Sequence, residues 1–321
     1  MDKKDERILT ELTLNSRIPL NRLGKKVGLS REVVNYRLNN LIKKGVIREF
    51  YTIIDESCLN YKRFGCLLQL KGVSLEKERE LISRIEKSKF TNYAGTNIGK
   101  WNLAFDIFGK DEAEVEEELN SIFKQDKEKI EYYCLIGGNL IQEVFPTKIF
   151  NGKETLKENK VKLKKELDQV DINLLKSISK NSREEYTKLS KKLNLTANAI
   201  KNRIKNLEKS GIIKGYTISI DYKKLGYDWH NLQVKLFGFE RPEKLMKFLR
   251  EAKGVIYFYR YWGNSNWDMD IGILTKSSDE LRNFIIRLKE SFPEIKINDL
   301  YLTNEIFKDN SAPEGIFKKE N

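Results

Sequence analysis

Two short sets of side chains in this sequence have the types and spacing for recognition chemistry. Ser30, Arg31, Glu32, Asn35, Tyr36, Arg37 and Asn39 form one set, and Thr196, Asn198, Lys201, Asn202, Arg203 and Lys205 form the other, 166 positions later. Carboxamides and cations so placed suit adenine and guanine edges or phosphate oxygens. Little else in the chain offers chemistry. A single histidine, His230, excludes hydrolases built on a pair of imidazoles. Cys58, Cys66 and Cys134 are too few and too scattered for a disulfide framework or a zinc site, and read as small buried fillers. The chain is therefore not expected to be an enzyme, and neither a metal nor a cofactor is expected.

Each set needs a helix to present it. Val34, Leu38 and Leu41 recur at helical spacing; with these facing a core, about 100° per residue turns Arg31, Glu32, Asn35, Tyr36 and Asn39 outward. Ile200, Ile204 and Leu207 make the same stripe in the second set, placing Ala197, Asn198, Lys201, Asn202 and Lys205 outside. Ser30 and Thr196 are the expected N-caps, and Gly45 and Gly211 the stops. Arg37 and Arg203 fall on the flank of the stripe, where a phosphate clamp and a structural ion pair are both open. Two shorter amphipathic segments precede the first helix, one through Ile8, Leu9 and Leu12, the other through Leu20, Leu23 and Val27 behind Pro19. A β-rich run, 46–54 or 212–220, follows each glycine stop. Three short helices and a strand pair are the winged helix-turn-helix plan, whose third helix enters a major groove of double-stranded DNA.

The two sets belong to a duplication. Residues 5–55 align without a gap on 171–221, with 17 identities in 51 positions, among them Asn15-Ser16-Arg17 on Asn181-Ser182-Arg183. The same shift carries Trp101 to Trp267. Beyond each head the sequence alternates strand, helix, strand, strand, helix, strand, which predicts a ferredoxin-like βαββαβ unit with helices on one face of a four-stranded sheet. The fold class is thus α+β, with winged helix-turn-helix heads at 1–60 and 167–226, ferredoxin-like units at 61–145 and 227–308, a basic solvated linker at 146–166 that ends in a helical lead-in, and a tail at 309–321. The run Ile256 to Trp262 carries Tyr257, Tyr259 and Tyr261 on one face and Phe258 and Trp262 on the other. One face is expected on its own helices and the other on a partner sheet.

Charge is distributed unevenly over this plan. The 321 residues carry 60 Lys and Arg against 47 Asp and Glu, a net +13 with a pI near 9.3. Residues 1–54 and 167–220 each carry a net +6, while residues 55–145 are net acidic at −4 and residues 221–321 close to neutral at +1. The heads are therefore the parts expected to meet a polyanion. No apolar stretch approaches the roughly 18 to 20 residues that cross a bilayer, and no apolar segment follows a basic one at the amino terminus, so no membrane partner and a cytoplasmic location are expected.

Several runs resemble the Lrp/AsnC (feast/famine) family of prokaryotic transcription regulators: Asp5 with Ile8-Leu9, Leu23 to Ser30, and Tyr36 to Ile47, then Leu189 to Thr196, Asn202 to Ile213, Tyr216, Asp221 and Leu225-Gly226. The resemblance spans nearly the whole chain, twice. It implies a DNA-binding head joined to a ferredoxin-like effector and dimerisation domain, whose sheets pair between subunits to form homo-oligomers and which binds a small-molecule effector such as an amino acid. Family members show a Gly, then an aromatic residue and an Asp, in the turn between the second and third strands. Gly263, Trp267 and Asp268 keep part of that pattern, and Gly99, Trp101 and Asn102 stand in the first copy; the tryptophans also suit sheet packing. A regulator in which one chain imitates a homodimer, with two different recognition helices, is the expectation. Siroheme decarboxylases are similar in build and supply the enzymatic alternative, but they lean on histidines near the strand turn, and His230 lies at the start of a strand.

Overall fold

In the computed structural model, residues 1–137, 139–150, 166–237, 242–261 and 266–318 are described. The first head comprises α1 (Lys3–Leu14), α2 (Leu20–Val27), α3 (Arg31–Lys43) and the strand β1 (Ile47–Ile54). Asp2 caps α1 by accepting from the Lys4 and Asp5 amides, and Gly28 ends α2 in the left-handed region at φ 67°. The first ferredoxin-like unit follows as β2 (Lys62–Leu70), α4 (Leu75–Lys87), β3 (Thr91–Ile98), β4 (Leu103–Gly109), α5 (Glu112–Phe123) and β5 (Ile130–Ile136). An additional strand, β6 (Asn139–Val144), comes next. The second head is α6 (Gln169–Lys180), α7 (Tyr186–Leu193), α8 (Ala197–Lys209) and β7 (Ile213–Ile220), and the second unit is β8 (Asp228–Leu236), α9 (Pro242–Glu251), β9 (Val255–Tyr261), β10 (Met269–Thr275), α10 (Ser278–Ser291) and β11 (Ile295–Asp309). None of the described helices is long and apolar enough to cross a membrane.

The strand pair expected within each head is absent among the described residues. Each β-rich run is one unbroken strand, and β1 pairs antiparallel with β7 of the other head. No turn residue interrupts 47–54, so the run cannot fold back on itself, and the other copy satisfies its backbone groups. Ile218 and Ile220 of β7 join the core of the first head, and Ile54 of β1 joins that of the second. The ladder's flanking contacts are reciprocal. The Asp55 amide donates to Ile212 O and the Asp221 amide to Val46 O; Arg48 pairs with Asp221 at 2.9 Å and Lys214 with Asp55 at 3.5 Å.

The ferredoxin-like units pair in the same reciprocal way. Their strands form one sheet in the order β5-β2-β4-β3-β11-β8-β10-β9-β6. Each unit keeps the arrangement in which its fourth strand lies beside its first. The chain beyond that strand then reaches the other unit: β11 runs on to pair with β3, and β6 pairs with β9. This explains why β11 extends to Asp309 and why β6 exists at all.

Equivalent residues meet at two places, which fixes an approximate two-fold axis. Ser16 Oγ lies 2.6 Å from Ser182 Oγ, and the Trp101 and Trp267 rings are 6.1 Å apart, both tryptophans fully buried. Around the serines, Arg17 Nη1 donates to Ser182 O and Arg183 Nη1 to Ser16 O, both at 2.5 Å. Burial and the neighbouring Arg17 push the Arg183 guanidinium below its usual range. Around the tryptophans, Leu67, Ile136, Tyr261 and Tyr301 complete a core between the two units.

The start of the linker, expected to be solvated, is docked, and so is the tail. Phe145 is buried in the core of the second unit, and Lys148 Nζ donates to Leu249 O at 2.6 Å, so the chain packs as far as Phe150 before residues 151–165, which lie outside the described set. In the tail, Ala312, Ile316 and Phe317 are buried against α6 and α8 residues of the second head. At this junction of heads and sheet, Tyr51 Oη and Ser219 Oγ both donate to Asp309.

Three outcomes follow from this packing. Trp101→Ala is expected to cost about 3–5 kcal/mol in denaturant unfolding, the range for emptying a large buried aromatic site. Arg183→Ala removes hydrogen bonds from a charged donor to buried carbonyls and is expected to cost about 1.5–3 kcal/mol by the same measurement. Burial, with Asp309 nearby, raises the Glu49 carboxyl to about 7, and burial raises Asp309 to about 7 against the opposing pull of Arg48. The folded state therefore retains protons that the unfolded chain releases at about pH 4, so this contribution to stability is full at low pH and is lost as pH rises from about 4 through 7. The difference in urea midpoint between pH 5.5 and pH 8 should shrink in Glu49→Gln/Asp309→Asn.

Candidate nucleic-acid interface

The recognition helices are built as their sequences require. Ser30 Oγ accepts from the Val33 amide at 3.3 Å and Thr196 Oγ1 from the Ala199 amide at 3.1 Å, so the two cap residues act first on backbone. Val34, Leu38 and Leu41 are buried under α3, and Ile200, Ile204 and Leu207 under α8. Arg31, Glu32, Asn35, Tyr36 and Asn39 are exposed on α3, as are Asn198, Lys201, Asn202 and Lys205 on α8. Tyr36 is 68% exposed, too open for a packing role. The Glu32 carboxyl is held below its usual range by its own backbone N–H and the Ser30 hydroxyl at the start of α3.

Arg37 and Arg203 are structural ion pairs. Arg37 Nη1 lies 2.7 Å from Asp2 and 2.8 Å from Asp5, and Arg203 Nη1 lies 2.7 Å from Asp168 and 2.8 Å from Asp171. Each guanidinium thus ties the recognition helix to the capped start of the first helix of its own head.

Two features of this face escaped the sequence analysis. Val33 is 41% exposed beside the cap, with Ala199 its counterpart; an apolar residue here, off the core stripe, suits a thymine methyl. Lys25 and Lys191 are exposed in the last turns of α2 and α7, beside the turn leading to each recognition helix. Their retention in both copies was the available signal.

Among the described residues, those considered for an effector do not converge on an open site. Trp101 and Trp267 are core, with Trp101 Nε1 donating to Gln233 at 2.8 Å. Asn102 Oδ1 accepts from the Leu70 amide at 2.7 Å, and Asp268 accepts from the Leu236 amide at 2.8 Å and from Lys235 at 3.1 Å. The first unit has an amide where the second has an acid because both are used to anchor the adjacent strand. Gly99 adopts φ 137° where a Cβ would stand about 3.0 Å from Leu300 O and Tyr301, so glycine is required there by close packing. Gly263 and Trp262 lie outside the described residues. Phe258 is buried on its own helices, as expected, while Tyr257, Tyr259 and Tyr261 line the cavity between the units rather than packing flat on a partner sheet, with Tyr261 buried in the core shared with the first unit. Among the described residues, no group of three or more His, Cys, Asp or Glu side chains could hold a metal ion.

A family of winged helix-turn-helix DNA-binding domains matches residues 1–48 and 167–214, that is, both heads. An uncharacterised HTH-type transcriptional regulator of Pyrococcus horikoshii is 43% identical over 123 residues, 37% of this chain and 80% of its own length. The regulator LrpA of the same organism is 33% identical over 121 residues, 37% of this chain and 83% of its own. Over the full architecture, the solved structure of the siroheme decarboxylase NirDL superposes with a TM-score of 0.64 at 14% identity, covering 95% of this chain and 92% of that one, a likeness of fold. With its DNA-binding head present twice, each matching recognised winged helices, the chain belongs to the Lrp/AsnC family of HTH-type transcriptional regulators.

Proposed function

We propose that one chain acts as a pseudo-dimer, placing two non-identical recognition helices on one stretch of duplex DNA, with a response to a small molecule carried by the ferredoxin-like units. The observation that carries this reading is the reciprocal pairing of β1 with β7 and of Ser16 with Ser182, which joins the heads around an approximate two-fold axis within one chain. Two heads so related suit half-sites about one helical turn apart, or a multiple of it. Because Arg31, Glu32, Asn35 and Tyr36 face Ala197, Asn198, Lys201 and Asn202 in the alignment, the half-sites differ in sequence. Exposed Tyr132, Tyr133 and Leu135 on β5 favour further assembly through the ferredoxin-like units.

The enzymatic reading finds less support. His230 is half-buried on β8, where its neighbours Trp229 and Asn231 line the cavity between the units; alternation along the strand turns the imidazole to the opposite face. Burial lowers its pKa. The cavity presents Glu56, Asp106, Asp270 and Asp309 against Arg63 and Lys214, an excess of acids that makes a poor lining for a polycarboxylate tetrapyrrole.

Selection from random duplexes by the full chain should yield an asymmetric pair of half-sites, and a strict palindrome would argue for pairing between like heads of two chains. On the selected duplex, Asn35→Ala should cost about 1–3 kcal/mol and relax sequence preference in one half-site only. Lys201→Ala should weaken binding and, if it meets phosphate, lower the log-log salt slope by about 1. A salt-independent affinity would sink the proposal.

A further inference from the structure

The two units share one fold, so a buried polar group present in only one of them is not a requirement of that fold. Where β8 meets β10, Gln233 stands opposite Asp270; at the equivalent place in the first unit, Leu67 stands opposite Ala104. Gln233 and Asp270 are both buried. A buried carboxylate is costly unless something compensates it. Asp270 receives Tyr261 Oη at 2.8 Å and lies by the Gln233 and Trp267 side chains, but no cation among the described residues acts on it, and burial holds its carboxyl up at about 7.

Asp270 borders a partly open cavity of about 600 Å³ lined by both units and by β1 of the first head. That volume is in the range of small-molecule sites. One wall is aromatic: the Tyr257 and Tyr259 rings stack at 4.6 Å, and Trp229 meets Tyr257 edge-on at 6.1 Å. Gly272 makes room for this wall, since a Cβ there would overlap the Tyr257 ring. Asn97, 8% exposed, also lines the cavity, and neither atom of its carboxamide has a hydrogen-bond partner. The Trp229 indole N–H is likewise unpartnered. The two cations on the lining are engaged with acids, Arg63 with Glu56 at 2.6 Å and Lys214 with Asp55 at 3.5 Å. The remaining charge is negative.

We propose that this cavity binds a small organic cation with a flat aromatic body, its ammonium group on Asp270, its ring on the Tyr257 and Trp229 wall, and a polar substituent on Asn97. Aromatic faces and a desolvated carboxylate both favour a cation, and neither favours an anion. Because β1 forms part of the wall, occupancy would reach the strand that joins the heads. That last step rests on the DNA-binding reading, whereas binding itself does not.

Calorimetric titration of the full chain with tryptamine tests the proposal, using tryptophol as the neutral and indole-3-acetate as the anionic counterpart. Tryptamine is expected to bind at least tenfold more tightly than tryptophol, with indole-3-acetate weaker still. Asp270→Asn should remove tenfold or more of the tryptamine affinity and leave tryptophol unchanged, with circular dichroism confirming the fold. Trp229→Phe should also weaken tryptamine. Equal affinity for the three probes, an unchanged Asp270→Asn variant, or no binding of tryptamine or phenethylamine at about 1 mM overturns the assignment. Duplex affinity measured without amine tests the regulator reading alone, so the two can fail separately. If amine binds and duplex affinity does not respond, the link through β1 is overturned.

Discussion

Each half of this chain has strands it cannot satisfy by itself, and the rest of the structure depends on that deficit. An unpaired strand edge leaves backbone donors and acceptors that must be met by water or by another strand. Here β1 finds β7, β11 runs on to β3, and β6 finds β9. The three pairings are long-range, and all join the two copies. The heads are therefore oriented by the same hydrogen bonds that complete the sheets, and the recognition helices inherit their relative placement from these strands.

The polar contacts at the axis refine this arrangement. Arg17 and Arg183 are like charges brought close together, which is unfavourable alone, yet each guanidinium is consumed by a carbonyl of the opposite copy and lies over aromatic rings, Tyr186 and Tyr216 for Arg17 and Phe50 for Arg183. Charge-assisted hydrogen bonds and cation–π contacts offset the repulsion. The pair acts as a register pin: a shift of either head by one residue would break both donors at once. Arg37 and Arg203 play a different part, fixing each recognition helix to its own head through a capped helix start, so the presented face keeps one orientation.

Much of this was legible in the sequence, for reasons that can be stated residue by residue. The stripes Val34-Leu38-Leu41 and Ile200-Ile204-Leu207 are local patterns, and both helices formed where they predict, capped by Ser30 and Thr196. The alternation of Tyr257, Phe258 and Tyr259 gave the two faces of β9. What was not legible is what depends on distant partners. No local pattern shows that 47–54 pairs with 213–220 rather than with itself. The span 139–144 carries no signal of its own until β9 offers an edge, and Phe145, Ile316 and Phe317 are buried against parts of the chain distant in sequence. On the candidate face, Ser30 caps α3 and Arg37 pairs with Asp2 and Asp5, engagements that depend on geometry a residue type does not show, and Val33 is exposed off the stripe although its type suggests core. Asp270 was invisible for another reason: its significance lies in the contrast with Ala104, which becomes meaningful only once the two strands are known to be equivalent.

The internal pairing of β1 with β7 also bears on how such a molecule behaves when scarce. A two-subunit assembly falls apart on dilution, and its subunits can be traded with those of related proteins. Within one polypeptide the partner strand is always at hand, so the local concentration of one head around the other does not depend on copy number. A handful of molecules would stay fully paired, mixed pairs with other members of the family would be shut out, and each head would be free to drift in sequence without having to match a copy of itself.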